Sequence, residues 1–503
     1  MWRFRRRRRG GLLGLLLFII IIAAIVFFLN GCTPGNSSSL ASSENNTSQV
    51  TQYYVHYDFN GYLAYDAPAS QTLAPGSLVT EPTPEKRPGY TLEGWSLAPS
   101  ADPVVYWDFA NDTLDSSITL YAVWTQDVYT IHFDMNGGSG TAPADQTLTF
   151  LETDSSGLTN KVVRPSSVGL FNGGFTLNGW WLKDNLGAFI QEWNFESDLP
   201  SKDMTLYAGW GTAGLEGHFY FMEYETAIKI TDYSDSDYLD APLLIPDLIN
   251  GKPVLSIGEE AFASYYNAPN IILPAFLTTI NTKAFYDCES VYELTIPDSV
   301  TSIGKMAFDS CGTIYTLDLG SGVTNIGEMA FYGSENLGVN SDPIVIPSNV
   351  LSIEKFAFSI TGGDALKQIE FENGLIYIGE EAFSYGNMTT IDLPDSVETI
   401  GRKAFAYCYD LADIYIGRGI TLILDDAFRY ADQNTWNYLH VYIDAVVPPV
   451  LGNSVVFGPW QSSGTDSRTG LWFVVPEASI PAYETAENWS VYYSTRIVSF
   501  LWS

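Results

Sequence analysis

The residues able to do chemistry in this 503-residue chain are few and far apart. Its imidazoles are His56, His132, His218 and His440, and its thiols are Cys32, Cys288, Cys311 and Cys408. A nucleophile with its base, or a zinc site, needs such groups at short, regular spacings or brought together by the fold. No Gly-x-Ser-x-Gly elbow, His-Glu-x-x-His helix, phosphate loop or dinucleotide fingerprint appears. The sequence predicts no enzyme, no cofactor and no metal site. His56 and His132 sit at equivalent places in alternating apolar and polar segments and read as strand residues. Asp235, Asp237 and Asp240 lack the glycine and terminal glutamate of a compact calcium loop and read as a solvated acidic turn. Cys32 has a different setting, close behind a long apolar run.

Arg3 and Arg5 to Arg9 precede an apolar run from Leu12 to Leu29, and Asn30-Gly31-Cys32 follows it. This leader, residues 1–31, resembles a bacterial lipoprotein signal; Leu29 and Gly31 fit that pattern and Asn30 departs from it. The resemblance implies diacylglycerol on the Cys32 thiol. An uncleaved signal anchor is the alternative, since the run is at the short end of a membrane span. Both place the remainder outside the cytoplasm on a membrane tether, behind a Ser-, Asn- and Thr-rich flexible linker at 32–51. The formal charge of −34 combines 24 basic with 58 acidic residues; removing the leader takes away six arginines and no acid, leaving −40. Such a surface repels phosphate backbones and excludes nucleic acid as a partner.

Two segments, 52–125 and 127–211, repeat one another. His56-Tyr-Asp58-Phe-Asn60-Gly61 matches His132-Phe-Asp134-Met-Asn136-Gly137, Gly94-Trp95 matches Gly179-Trp180, and Thr119-Leu-Tyr121-Ala-Val-Trp124 matches Thr205-Leu-Tyr207-Ala-Gly-Trp210. Alternating runs between Gly, Pro and Asn turns predict short strands with the recurrent tryptophans as core. The pattern is similar to the Listeria/Bacteroides repeat, the internalin-type B-repeat. That resemblance implies a β-grasp-like fold, with the modules serving as spacers or binding units on a bacterial surface protein.

From 217 to 503 the motif Ile-x-x-x-Ala-Phe recurs eight times, with its phenylalanines at 262, 285, 308, 331, 358, 383, 405 and 428. Between copies stands an apolar-x-apolar strand, usually ended by Pro or Gly. One such unit cannot bury its Ile and Phe alone, so stacking is required, and the period predicts a solenoid of about eight coils. The fold class is mainly β. Cys288 and Cys311 occupy the same site on adjacent coils, and Cys408 a similar one; they read as buried ladder residues, with a Cys288–Cys311 bridge geometrically open. The two elements resemble the BspA-like, Treponema-type leucine-rich-repeat family, which implies adhesion at a bacterial cell surface.

Period-two alternation places one row of strand-centre residues outward: Thr295, Asp318, Val345, Glu370, Asp392, Tyr415 and Tyr442. Acids in that row would steer a basic ligand, and its tyrosines give flat contact area. The row is the expected ligand face, for host matrix or cell-surface proteins of basic character. Glycan or mucin binding and a structural, envelope-organising role are the alternatives.

Overall fold

The computed structural model describes residues 52–60, 68–83, 87, 89–99, 103–150, 153–154, 157–158, 161–235, 238–339, 343–360, 362, 364–431, 439–452, 456–457, 471–489 and 497–499. Cys32, the leader, the linker and Asp237 lie outside the described residues.

In the first module Val55 and Tyr57 alternate inward along Tyr53–Asp58, which pairs in parallel with Ile118–Gln126, Val55 opposite Ile118. Gln71–Leu73 and Tyr90–Ser96 complete an antiparallel flank on either side. The second module repeats this, with Val128–Asp134 parallel to Met204–Glu216 and Thr176–Lys183 antiparallel to it. Trp95 and Trp180 fill the two cores, as their repetition predicts.

Three segments of the coil stack on neighbouring coils through backbone hydrogen bonds. The long strand, such as Thr316–Asp318, pairs in parallel with its neighbour. A two-residue rung ending in Ile stacks in register, as in Thr279–Ile280 on Ser302–Ile303. The Ala-Phe turn supplies the third rung: Phe285 N–H donates to the Ala307 carbonyl and Phe308 N–H to the Ala330 carbonyl, each at 2.8 Å. The residue before each Ala, Met306 or Lys283 for example, takes a left-handed φ near 55°. Gly304 follows its Ile because the coils touch there; a Cβ would lie 2.6 Å from the Asn281 carbonyl carbon.

Nine phenylalanine rings form one stack from Phe262 to Phe457, with neighbouring centroids 5.0–5.4 Å apart and nearly parallel planes. The array therefore has about nine turns, one more than the motif count. The last was hidden because Val456 replaces the alanine and the step from Phe428 is longer. Tyr483 and Trp489, both fully buried, close this end; their side chains donate to the Ala445 and Pro449 carbonyls. Cys288, Cys311 and Cys408 are buried and unbridged, each thiol donating to a backbone carbonyl.

The modules are not a spacer ahead of the array. Residues 52–503 form one compact unit, and Met204–Glu216 runs from the second module straight into a hairpin with Phe219–Glu223 at the head of the solenoid. The modules lie along the two-residue rungs. Thr279 donates to the Glu192 carbonyl at 2.9 Å, Asn325 to the Ser197 carbonyl, Lys161 pairs with Glu354 at 3.3 Å, and Arg87 with Glu398 at 2.9 Å. Tyr129, Phe150 and Ile376 form an apolar seam between module and coil.

Asp198 is buried in this joint, accepting from Asn194 N–H at 2.8 Å and Gln191 Nε2 at 3.1 Å. Burial pushes its carboxyl up from 3.8 to about 6, against the pull of those hydrogen bonds. A carboxyl that ionises later in the folded than in the unfolded chain stabilises the fold below its unfolded value, and that stabilisation is lost as pH rises through its folded value. Asp198→Asn is therefore expected to stabilise the fold at about pH 7.5 by roughly 1–3 kcal/mol, seen as a higher thermal midpoint, and to lose that advantage near pH 4. Melting both proteins at both pH values checks this; an equal gain at each would contradict it.

Candidate functional site

The outward row exists, and backbone pairing sets its register. Thr295 stands opposite Asp318, Val345 opposite Glu370, and Asp392, Tyr415 and Tyr442 follow one another across three strands. Their neighbours in each strand, such as Ile391 and Leu393 beside Asp392, are buried, which forces the centre residue out. The ladder is not continuous. Thr295 with Asp318 and Val345 with Glu370 belong to separate two-stranded sheets, and the first break coincides with the 27-residue step between Phe331 and Phe358.

The last three residues of the row come together at a concavity. A groove of about 430 Å3 is lined by Phe371, Asp392, Asp395, Tyr415, Tyr442 and Asp444, among others. Tyr415 and Tyr442 stack with centroids 4.5 Å apart and planes 6° from parallel. That distance matches the strand spacing, so the rings stack along the ladder. Asp395 is occupied: Arg418 donates to its Oδ2 from Nε at 2.9 Å and Nη2 at 2.6 Å, and from its backbone N–H to Oδ1 at 2.8 Å. Crowding by the protein and the charge of Asp395 push both Asp392 and Asp444 up from the ordinary carboxylate range, with Arg418 partly offsetting this for Asp444. Burial raises both tyrosine hydroxyls, and Asp413 adds to it. The groove is thus acidic and aromatic, floored by paired parallel strands.

The histidines stay dispersed. His56 meets Ser70, His132 meets Asp145, and His440 lies 3.3 Å from Asp413. Among the described residues, no group of three or more His, Cys, Asp or Glu side chains is placed to hold a metal ion. Sequence reasoning missed a second tyrosine stack. Tyr385, Tyr407 and Tyr430 lie two residues after their ladder phenylalanines, at centroid distances of 4.6 and 5.2 Å. The signal was present in that Phe-x-Tyr spacing, but the five earlier coils carry Ser264, Asp287, Ser310, Gly333 and Ile360 there.

Residues 255–341 and 338–441 match the BspA type leucine rich repeat region. Residues 53–123 and 129–209 match the Listeria-Bacteroides repeat domain. The chain carries BspA-type leucine-rich repeats behind two Listeria-Bacteroides repeats. Internalin H of Listeria monocytogenes is 32% identical over 141 residues, which are 28% of this chain and 22% of that protein. A protein of Evansella cellulosilytica named as a Gly-rich membrane protein is 32% identical over 163 residues, 32% of this chain and 16% of its own length. The chain thus matches less than a quarter of either relative. Among solved structures, a leucine-rich repeat protein from Bacteroides ovatus is 20% identical, covering 58% of this chain and 66% of that one at a TM-score of 0.32. The leucine rich repeat protein of T. pallidum is 23% identical, with 50% and 88% covered and a TM-score of 0.27. In the BspA-type array described here, the groove falls on the long strands of its last coils, spanning the end of the matched region.

Proposed function

We propose that the protein is a bacterial cell-surface adhesion protein that binds protein ligands through the long-strand face of its BspA-type array. One observation carries this reading: the strand-centre residues project outward from the long strands, and the last three, Asp392, Tyr415 and Tyr442, stand in register and line an acidic, aromatic groove. The modules contact two-residue rungs on another side of the coils, at Thr279 and Asn325 and next to one at Glu398, which leaves the long-strand face open to a partner. An ectodomain of net charge −40 steers basic partners, and tyrosines presented by a sheet lose little freedom on binding. Host matrix and cell-surface proteins are the ligands proposed.

The test is binding of the full chain to immobilised matrix proteins and to host cells. Replacing Glu370, Asp392, Tyr415 and Tyr442 together is expected to reduce binding at least about tenfold, since each good anchor contributes on the order of 1 kcal/mol or more. Unchanged binding removes the face from consideration. The tether is proposed to be a lipid on Cys32; Cys32→Ala that keeps normal processing and membrane retention argues for the signal anchor instead.

A further inference from the structure

Three rungs of the long-strand ladder line the groove. Across three paired strands the register runs Tyr442, Tyr415, Asp392. The two rings stack, but the third rung carries a short side chain, so the face of Tyr415 turned away from Tyr442 opens onto space above Asp392. Phe371, on the preceding coil, also lines the groove, its ring packed edge-on against Phe383 of the core. Consecutive rungs are about 4.8 Å apart, enough for one planar group laid against the Tyr415 ring.

The charges around the space are unbalanced. Arg418 pairs with Asp395 and partly offsets the crowding at Asp444, so one guanidinium faces three groove carboxyls, Asp392, Asp395 and Asp444. Arg418 shows within this chain how a guanidinium meets a groove carboxylate, through Nε and Nη2 together.

We propose that the groove is a subsite for an arginine side chain of a bound protein, its guanidinium lying on the open face of Tyr415 and pairing with Asp392 and Asp444. This rests on the reading of the long-strand face as a protein-binding surface. Arginine fits better than lysine because a guanidinium is planar, stacks on aromatic rings and offers donors in a fork that can serve two carboxylates. A lysine ammonium would satisfy the charge and leave the slot unfilled. A neutral sugar would bring no cation to either carboxylate.

The experiment titrates the full chain, purified in detergent, with a labelled peptide of alternating arginine and glycine, and with its lysine and citrulline counterparts. Citrulline keeps the shape and removes the charge, and lysine keeps the charge and removes the plane. The arginine peptide is expected to bind at least about tenfold more tightly than the citrulline peptide and several-fold more tightly than the lysine peptide, weakening as salt rises. Asp392→Asn and Tyr415→Ala should each remove most of that preference, whereas Asp318→Asn, on the same face outside the groove, should not. The peptide comparison needs no variant to fold. Equal binding of arginine and citrulline peptides, equal binding of arginine and lysine peptides, an unchanged preference in Asp392→Asn, or displacement by oligosaccharides alone would each overturn the subsite. Loss of matrix-protein binding in the four-residue variant alongside equal arginine and citrulline binding keeps the face and removes the slot. Arginine preference alongside unchanged matrix binding does the reverse.

Discussion

Phe308→Ala is expected to destabilise the array by about 3–5 kcal/mol, the cost of a large buried aromatic truncated in a core that cannot collapse around the gap. Phe308 is fully buried between Phe285, at 5.0 Å and 1°, and Phe331, at 5.4 Å and 3°. Its backbone is held on both sides by turn hydrogen bonds, Phe285 N–H to Ala307 and Phe308 N–H to Ala330. The coils therefore cannot slide together to fill the hole. In a stacked array each coil is stabilised by its two neighbours, so loss in an interior rung weakens two interfaces at once. Phe308→Leu, which keeps most of the volume, should cost about 1.5 kcal/mol or less. Tyr430→Ala, on the outer stack, should cost less than about 1 kcal/mol. Urea unfolding measures all three, and hydrogen exchange should show protection lost first around the altered coil. A loss below about 1 kcal/mol for Phe308→Ala would mean that the ring stack contributes little to cohesion.

The ring stack and the outward row were legible in the sequence for one reason. A residue that meets its own copy on the next coil must recur at the coil period, so Phe262 to Phe428 announce themselves. The row from Thr295 to Tyr442 follows by alternation once Ile391 and Leu393 are known to be inside. Where the period is disturbed, legibility fails: Val456-Phe457 makes a coil without the Ala-Phe signature. The groove was only half legible. Asp392, Tyr415 and Tyr442 were singled out one by one, but Asp444 and Phe371 join them through the stacking of coils, which spacing alone does not show. The docking of the modules left a trace that was not read. The residue before each rung Ile is Ser256, Thr279, Ser302, Asn325 and Ser352 in the first five coils, all fully buried. Small polar side chains that are buried need partners, and several of these find theirs in the second module, more than sixty residues away in sequence. From Leu422 onward the same position turns apolar.

Lys229→Met is expected to cost about 3–5 kcal/mol and to uncouple the second module from the array, because it strands a buried carboxylate. Glu192, in the module, is almost completely buried and accepts from Lys229 Nζ at 2.7 Å, Ser256 Oγ at 2.5 Å and Asn281 Nδ2 at 3.2 Å, all three in the solenoid. Lys229 also reaches back to Asn178 of the module at 3.1 Å. Two neutral donors remain after the substitution, too few to replace the lost cation in a site closed to water. Glu192→Gln combined with Lys229→Met should recover a large part of the loss, since no isolated charge is then buried. The readout is the shape of thermal unfolding. The wild-type joint couples the bodies through this network, the Trp181 and Leu255 core and the shared strand Met204–Glu216, so residues 52–503 should unfold as one. Lys229→Met should split the transition, the module melting first while the phenylalanine stack holds. A single transition moved by less than about 1 kcal/mol would transfer the coupling to the apolar seam and the continuous strand. The modules would then be held by their connection to the array, and the polar rungs would answer only to their own coils.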